Sequence, residues 1–197
     1  IPRNLRFQLC DYESEWTLGM DSFDLIHIRQ ACGSVSSWPA LYRRIFEEAK
    51  TYEQYRHLKP GYGHLEHVEI DFQPRCDEGT LSPELNVVKW YNWLVDATYR
   101  SGRCIAYQHS TRQMLQEAGF VDIVETIIRA PYNDWPSDPH EKNIGRWYNL
   151  GMTEGLEALS LGPLTRVFKW PAETVRGIIP GVEKEINCKR IHAYNNM

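Results

Sequence analysis

The sequence predicts an α/β fold built on a doubly wound sheet, and two neighbouring segments support that prediction. Residues 23–29 form an apolar run entered through a polar turn, as a buried strand does. Farther along, the turn Leu58-Lys59-Pro60-Gly61 precedes an apolar-rich stretch over residues 65–72. A strand, a helical stretch, a Pro-Gly turn and a second strand form the unit that returns a chain to a sheet.

Two more elements are predicted in the first half of the chain. Residues 5–9 alternate apolar and polar side chains, which predicts a short strand. Residues 38–50 are predicted to form a helix, because the apolar side chains recur at helical spacing and Pro39 suits the first turn. Relative to the family that the motifs below resemble, residues 48–56 look like extra sequence, either an insertion or the continuation of this helix.

The second half of the chain alternates helical patterns with shorter strands. The helix predicted over residues 110–118 is stopped by Gly119, and β-branched residues over 121–129 predict a strand. A bend is expected at Pro180-Gly181. No repeat or linker interrupts the pattern, so one domain is predicted over residues 1–197. The remaining predicted elements are helices over residues 83–100, 140–161 and 171–187 and a strand over residues 189–194.

Composition indicates an ordinary globular protein and argues against several classes of partner. The 197 residues are 42% hydrophobic and 24% charged, and the net charge of −4 offers no broad basic surface for nucleic acid. No apolar run approaches the length of a membrane span, and no signal peptide is predicted. Five cysteines without a Cys-x-x-Cys pair predict free thiols in a reducing compartment.

Several longer motifs point to one family. They are Asp11-Tyr-Glu-Ser-Glu-Trp16, Cys32-Gly-Ser-Val-Ser-Ser-Trp-Pro39, Glu69-Ile-Asp-Phe-Gln-Pro-Arg-Cys-Asp77, Gly145-Arg-Trp-Tyr-Asn-Leu150 and Ile191-His-Ala-Tyr-Asn195. Together they resemble the LaeA-type methyltransferases of filamentous fungi, regulators of secondary metabolism and development. The resemblance implies a Rossmann-like class I methyltransferase fold with strand order 3-2-1-4-5-7-6.

The resemblance also implies that the chain is N-terminally truncated and carries strands three to seven with their flanking helices. The family's glycine-rich loop after strand one and the acidic residue that ends strand two have no counterpart here. Strand four would then be an exposed sheet edge. We therefore expect the 197 residues alone to fold poorly and to bind the cofactor weakly.

S-adenosyl-L-methionine is the cofactor that the resemblance implies, bound across the carboxyl ends of the strands. Asp11 follows strand three, where the family places an acid that accepts the adenine amino group; the alternative is a turn-capping residue. Arg29 ends strand four beside the methionine part of the cofactor, unless it forms a surface ion pair instead. The expected cofactor contacts are Cys10, Asp11, Tyr12, Ile28, Arg29 and Gln30.

No general base can be assigned from the sequence. The weak candidates are His27, His67 and Glu69, which lie on or near strand ends, and Tyr132, which lies in the loop after the sixth strand. A structural role is the alternative for each of them. No metal site is expected, since strand alternation places His64 and His67 on opposite faces.

Three functions remain open at this point. The resemblance favours a nuclear methyltransferase that acts with velvet-family proteins, with the cytoplasm as the alternative location. A second possibility is a small-molecule methyltransferase of a biosynthetic gene cluster. A third is a non-catalytic scaffold that keeps the fold for partner binding.

Overall fold

The computed structural model describes most of the chain and divides it into two compact units. The described residues are 4–14, 16, 23–46, 58–59, 61–79 and 81–197. The first unit combines residues 1–27, 35–66 and 110–123, and the second combines residues 28–34, 67–109 and 124–197.

Strands and helices alternate along the described chain, as the sequence predicts. In chain order the elements are β1 (Leu25–Arg29), α1 (Trp38–Phe46), β2 (His64–Val68), β3 (Asp71–Arg75), α2 (Asn86–Arg100), α3 (Thr111–Ala118), β4 (Arg129–Pro131), α4 (Pro139–Arg166), α5 (Ala172–Ile186) and β5 (Tyr194–Asn196).

The segment that was predicted as one strand over residues 65–72 forms two strands, which belong to two different sheets. β1 pairs with β2, while β5 lies between β3 and β4 and is antiparallel to both. Residues 65–72 were expected to be one strand, but Glu69 and Ile70 separate β2 from β3. The order β3-β5-β4, with the antiparallel β5 in the middle, matches the 5-7-6 end of the strand order that the resemblance implies. The fold is a Rossmann-like class I methyltransferase fold.

In the first unit, α1 packs on α3 through apolar faces. Tyr42 and Ile45 of α1 are fully buried, and Leu115 faces them from α3. Gly119 ends α3 with a φ of 107° and leaves room for the Phe46 ring, which a Cβ at that position would strike. The predicted stop at Gly119 is therefore confirmed, and its cause is both a left-handed cap and a close aromatic contact.

The core of the second unit lies where α2, α4 and α5 pack together. Trp90 is fully buried, and its indole N–H donates to Ser160 at 2.8 Å, so the polar atom of this core aromatic has a partner. The carboxylate of Glu185 on α5 accepts the backbone N–H of Val87 at 2.8 Å, which caps the start of α2. None of the helices in the described ranges is both long and apolar enough to cross a membrane.

Two predicted strands are wrong or much shorter than expected. Residues 5–9 form no strand, and Phe7 and Leu9 are exposed. Of the strand predicted over residues 121–129, Arg129 alone belongs to β4, because the ladder between β4 and β5 covers three residues. Alternation and β-branching describe a preference for extended backbone, but a strand also needs a neighbour that supplies hydrogen bonds.

Other boundaries differ by several residues. The long helix continues through Pro163 to Arg166, and α5 passes through Pro180-Gly181 as one helix. The last strand begins at Tyr194, because a turn closed by the Ile191 N–H and the Cys188 carbonyl occupies the residues before it. The predicted helix end at residues 47–50, and with it the question of extra sequence over 48–56, lies outside the described residues.

Candidate functional site

The carboxyl end of β1 forms a tight turn in the second unit. Gln30 has a φ of 53°, in the left-handed region that is uncommon for a residue with a side chain. Its backbone N–H donates to the Val68 carbonyl at 2.9 Å, so the chain leaves the sheet directly after this residue. Arg29 and Gln30 are exposed and Ile28 is half-buried. The predicted contacts to the methionine part of the cofactor therefore lie at a sharply defined strand end.

A buried carboxylate holds this turn. The Glu69 side chain accepts the backbone N–H of Ala31 at 2.8 Å and that of Cys32 at 3.2 Å. It also pairs with His67 Nε2 at 2.9 Å, and the side chains of Glu69 and His67 are only 4% and 8% exposed. We call Glu69, His67 and the two amides the Glu69 clamp.

The charge of the Glu69 clamp follows from its hydrogen bonds. Burial of the Glu69 carboxyl raises its pKa, but the hydrogen bond from His67 and those from the Ala31 and Cys32 amides outweigh burial, and the net pKa is lowered. Glu69 is thus an anion with three donors around it. The pKa of the Cys32 thiol is raised far above its usual range by burial and then by the Glu69 charge, so the thiol stays protonated.

The far side of the same turn is also held. The Gly33 N–H donates to the Cys104 carbonyl at 3.0 Å, and the Arg103 guanidinium donates to the Ser34 carbonyl. Residues 30–34 therefore have partners both from the β2–β3 junction and from the chain that follows α2.

The other predicted cofactor contacts lie in the first unit. Cys10 and Asp11 are exposed and Tyr12 is half-buried. The Asp11 carboxylate accepts the Glu13 N–H at 2.9 Å, which is the turn-capping alternative, although an exposed carboxylate can also meet a ligand. The Glu13 carboxylate accepts both the N–H of Ser36 at 2.6 Å and its hydroxyl at 2.7 Å. The Asp11 turn is thereby tied to the residues before α1.

The weak candidates for a general base occupy different environments. His27 belongs to the first unit and pairs through Nδ1 with Glu66 at 2.7 Å, near the surface. His67 and Glu69 are bound to each other in the clamp. Tyr132 is fully buried and stacks on Tyr148 with ring centroids 6.4 Å apart. Their roles in catalysis stay predictions.

Tyr132 is the most unusual of these side chains. Burial raises the pKa of its hydroxyl well above the usual range and outweighs the nearby Asn195 amide, which lowers it. No described atom reaches that hydroxyl with hydrogen-bonding geometry, and the Asn195 oxygen accepts from Tyr148 at 2.8 Å. Asn133 beside it is buried and donates to the Ile186 carbonyl at 2.8 Å. A proton held this tightly is unsuited to general base catalysis near neutral pH.

Sequence reasoning missed a group of side chains at one sheet edge. The register places Tyr194, the first residue of β5, between Arg75 at the end of β3 and Pro131 at the end of β4. The loops at this edge bring His192 against Trp135, with ring centroids 4.6 Å apart, and His192 also pairs with Glu78, which is 114 positions away. No local spacing in the sequence reveals a contact over that separation.

Comparisons with known proteins give the family relationship. No protein-family model matches the chain. Over 199 residues the chain is 61% identical to the secondary metabolism regulator LAE1 of Cochliobolus heterostrophus, covering 100% of this chain and 62% of that protein. The homologues of this chain are LaeA-type secondary metabolism regulators. The resemblance found in the sequence is confirmed.

Two other LaeA proteins agree with this relationship. The chain is 46% identical over 196 residues to the secondary metabolism regulator laeA of Monascus pilosus, covering 98% of this chain and 50% of that protein. It is 44% identical over 198 residues to the protein-methionine methyltransferase laeA of Emericella nidulans, again covering 98% and 50%. The chain therefore spans half to about three-fifths of the length of these LaeA relatives.

The comparison with solved structures gives a weaker match. Phospholethanolamine N-methyltransferase 2 of Haemonchus contortus, in complex with phosphomonomethylethanolamine and S-adenosylhomocysteine, matches 95% of this chain and 34% of its own. The sequence identity is 20% and the TM-score is 0.41. In the LaeA-like chain itself, the described residues contain no group of three or more His, Cys, Asp or Glu side chains that could hold a metal ion.

Proposed function

We propose that this LaeA-like protein is an S-adenosyl-L-methionine-dependent methyltransferase that regulates fungal secondary metabolism. The observation that carries the proposal is the 61% identity to a LaeA-type regulator along the whole chain. The structure supports it with an ordered turn at the carboxyl end of β1, since ligands of open α/β sheets bind at the carboxyl ends of strands.

The residues at this strand end offer polar groups to a cofactor. Arg29 and Gln30 expose polar side chains there, and the Glu69 clamp fixes the backbone that carries them. The resemblance assigns the adenine amino group to Asp11, whose carboxylate is exposed on a turn of the first unit. When bound, S-adenosyl-L-methionine supplies an electrophilic methyl group on a sulfonium; the work of these residues is to hold and orient it.

The environments of the candidate bases bear on the methyl acceptor. His67 and Glu69 are committed to each other, and His27 is paired with Glu66. Tyr132 holds its proton tightly. A methionine thioether carries no proton, so its methylation needs no general base. We therefore propose a protein methionine as acceptor, in line with the name of the Emericella nidulans relative. An oxygen nucleophile would need a base to remove its proton.

The proposed setting of this activity is the nucleus, in assembly with velvet-family proteins. The support is the LaeA-type resemblance alone, and the cytoplasm is the alternative. Imaging of the tagged protein in fungal hyphae, together with co-purification of velvet-family proteins under the same growth conditions, tests both parts. Cytoplasmic signal without co-purifying velvet proteins would contradict them.

Calorimetric titration of S-adenosylhomocysteine tests the cofactor assignment. The titration uses the full-length natural protein that contains this chain, its Asp11→Ala variant, and Glu117→Ala as a control at an exposed site of the same unit. We expect the natural protein and the control to bind alike. Loss of the Asp11 carboxylate should weaken binding about tenfold, the usual effect of one charged hydrogen bond.

Two outcomes would contradict the assignment. A folded natural protein that does not bind S-adenosylhomocysteine favours the non-catalytic scaffold. Equal affinities of the natural protein and Asp11→Ala, with unchanged thermal melting, would remove Asp11 from the cofactor site.

A further inference from the structure

We propose that Glu69 is a positioning residue, which holds the turn over residues 30–32 in the conformation that the cofactor site requires. The inference rests on the proposed function to the extent that this turn contacts the cofactor. It assigns to Glu69 a role other than the general base considered from the sequence.

The geometry around Glu69 suits a residue that holds the backbone, and does not suit one that accepts a proton from a substrate. The two Glu69 carboxylate oxygens accept two successive backbone N–H groups, of Ala31 and Cys32, and one of them also meets His67 Nε2. Two successive amides that point at one anion form a small anion-binding nest, here filled by a side chain of the same protein. A carboxylate surrounded by donors in this way is a weak base with no open side toward a substrate proton.

The conformation of the turn shows why an anchor is needed. Gln30 adopts a left-handed φ although it has a side chain, and such residues persist where surrounding contacts hold them. The Glu69 clamp grips the two amides that directly follow Gln30. Without it, Gln30 can relax to a right-handed or extended conformation, which would move its side chain and that of Arg29.

Burial makes the clamp specific to an ionised carboxylate. The Glu69 side chain is 4% exposed, so water cannot easily replace a lost acceptor. In Glu69→Gln an amide NH₂ replaces one carboxylate oxygen, so a donor faces a donor at one of the three contacts. The substitution preserves size and removes the charge and one acceptor.

Amide hydrogen exchange in the cofactor-free, full-length natural protein tests whether Glu69 holds the turn. We expect Glu69→Gln to raise the exchange rates of Ala31 and Cys32 about tenfold, the effect of losing about one hydrogen bond. Amides within α2 should keep their protection. Glu84→Gln is the matched control, because Glu84 is 84% exposed and pairs with Lys89 on the surface.

Titration with S-adenosylhomocysteine tests whether the held turn matters for binding. We expect Glu69→Gln to weaken binding about tenfold while Glu84→Gln has no effect. His67→Gln, which keeps the carboxylate and its grip on the two amides, should have a smaller effect on both readouts. If Glu69→Gln does not fold, Glu69→Asp decides, because its shorter side chain keeps the charge but draws the carboxylate away from the two amides. Natural exchange rates together with natural affinity in that variant would overturn the proposal.

The possible failures are separable. Unchanged exchange at Ala31 and Cys32 in folded Glu69→Gln would overturn the clamp. Faster exchange with unchanged affinity would overturn its role in positioning the cofactor site. Absence of binding by the natural protein would contradict the proposed function, while the exchange rates, which need no cofactor, would still show whether Glu69 holds the turn.

Discussion

The two turns that carry the predicted cofactor contacts are held by the same device in different surroundings. In the second unit, the Glu69 carboxylate binds the backbone N–H groups of Ala31 and Cys32 and is almost fully buried. In the first unit, the Glu13 carboxylate binds the backbone N–H and hydroxyl of Ser36 at the surface. Glu69 fixes the turn that follows β1, and Glu13 ties the Asp11 turn to the residues before α1.

The difference indicates that burial, and not the number of hydrogen bonds, sets how much a carboxylate clamp contributes to stability. At the surface, water can replace Glu13 as the acceptor for Ser36, so the net gain of each bond is small. Around Glu69, water has little access, so removing the acceptor leaves polar groups unsatisfied. The buried clamp should therefore dominate both stability and the order of the site.

The largest expected effect is that of Glu69→Ala on stability. We expect the free energy of unfolding to fall by about 2 kcal/mol, because the amides of Ala31 and Cys32 and the His67 ring lose a shared acceptor. Urea unfolding followed by circular dichroism measures this loss. A decrease below about 0.5 kcal/mol would show that water or a neighbouring group replaces the carboxylate.

The clamp also illustrates which features the sequence could predict. Local patterns predicted β1, α1, α2 and the stop of α3, since periodicity and turn residues act within a few positions. The strands over residues 5–9 and 121–129 failed because strand formation depends on a partner elsewhere in the chain. The final order of β3, β5 and β4 joins segments more than 60 residues apart, and only the family resemblance anticipated it.

The candidate site shows the same limit at the level of single residues. The resemblance marked Asp11 and Gln30 as cofactor contacts, and the structure places both on ordered turns. Glu69 could be singled out only as an acid near a strand end, because its partners lie 37 and 38 positions earlier. The bonds between Glu69 and those amides require knowledge of which strands pair.

The second expected effect is a pH dependence that belongs to the buried clamp. The folded-state pKa of Glu69 is lowered, so its contribution to stability is complete above the ordinary Glu value of about 4.3 and is lost as the pH falls through the folded pKa. The Gln side chain in Glu69→Gln cannot titrate. Between about pH 5 and about pH 3 this variant should therefore lose less stability than the natural protein does. Parallel stability curves over that range would contradict the lowered pKa.

The smallest expected effect is that of Glu13→Ala, and it is the sharpest check on the comparison. Because the bonds from Ser36 are exposed, we expect the free energy of unfolding to change by about 0.5 kcal/mol, within the range of ordinary surface substitutions. Urea unfolding under the conditions used for Glu69→Ala measures it. If Glu13→Ala costs as much as Glu69→Ala, burial does not set the strength of these clamps. The Asp11 turn would then depend on its surface anchor as strongly as the Gln30 turn depends on its buried one.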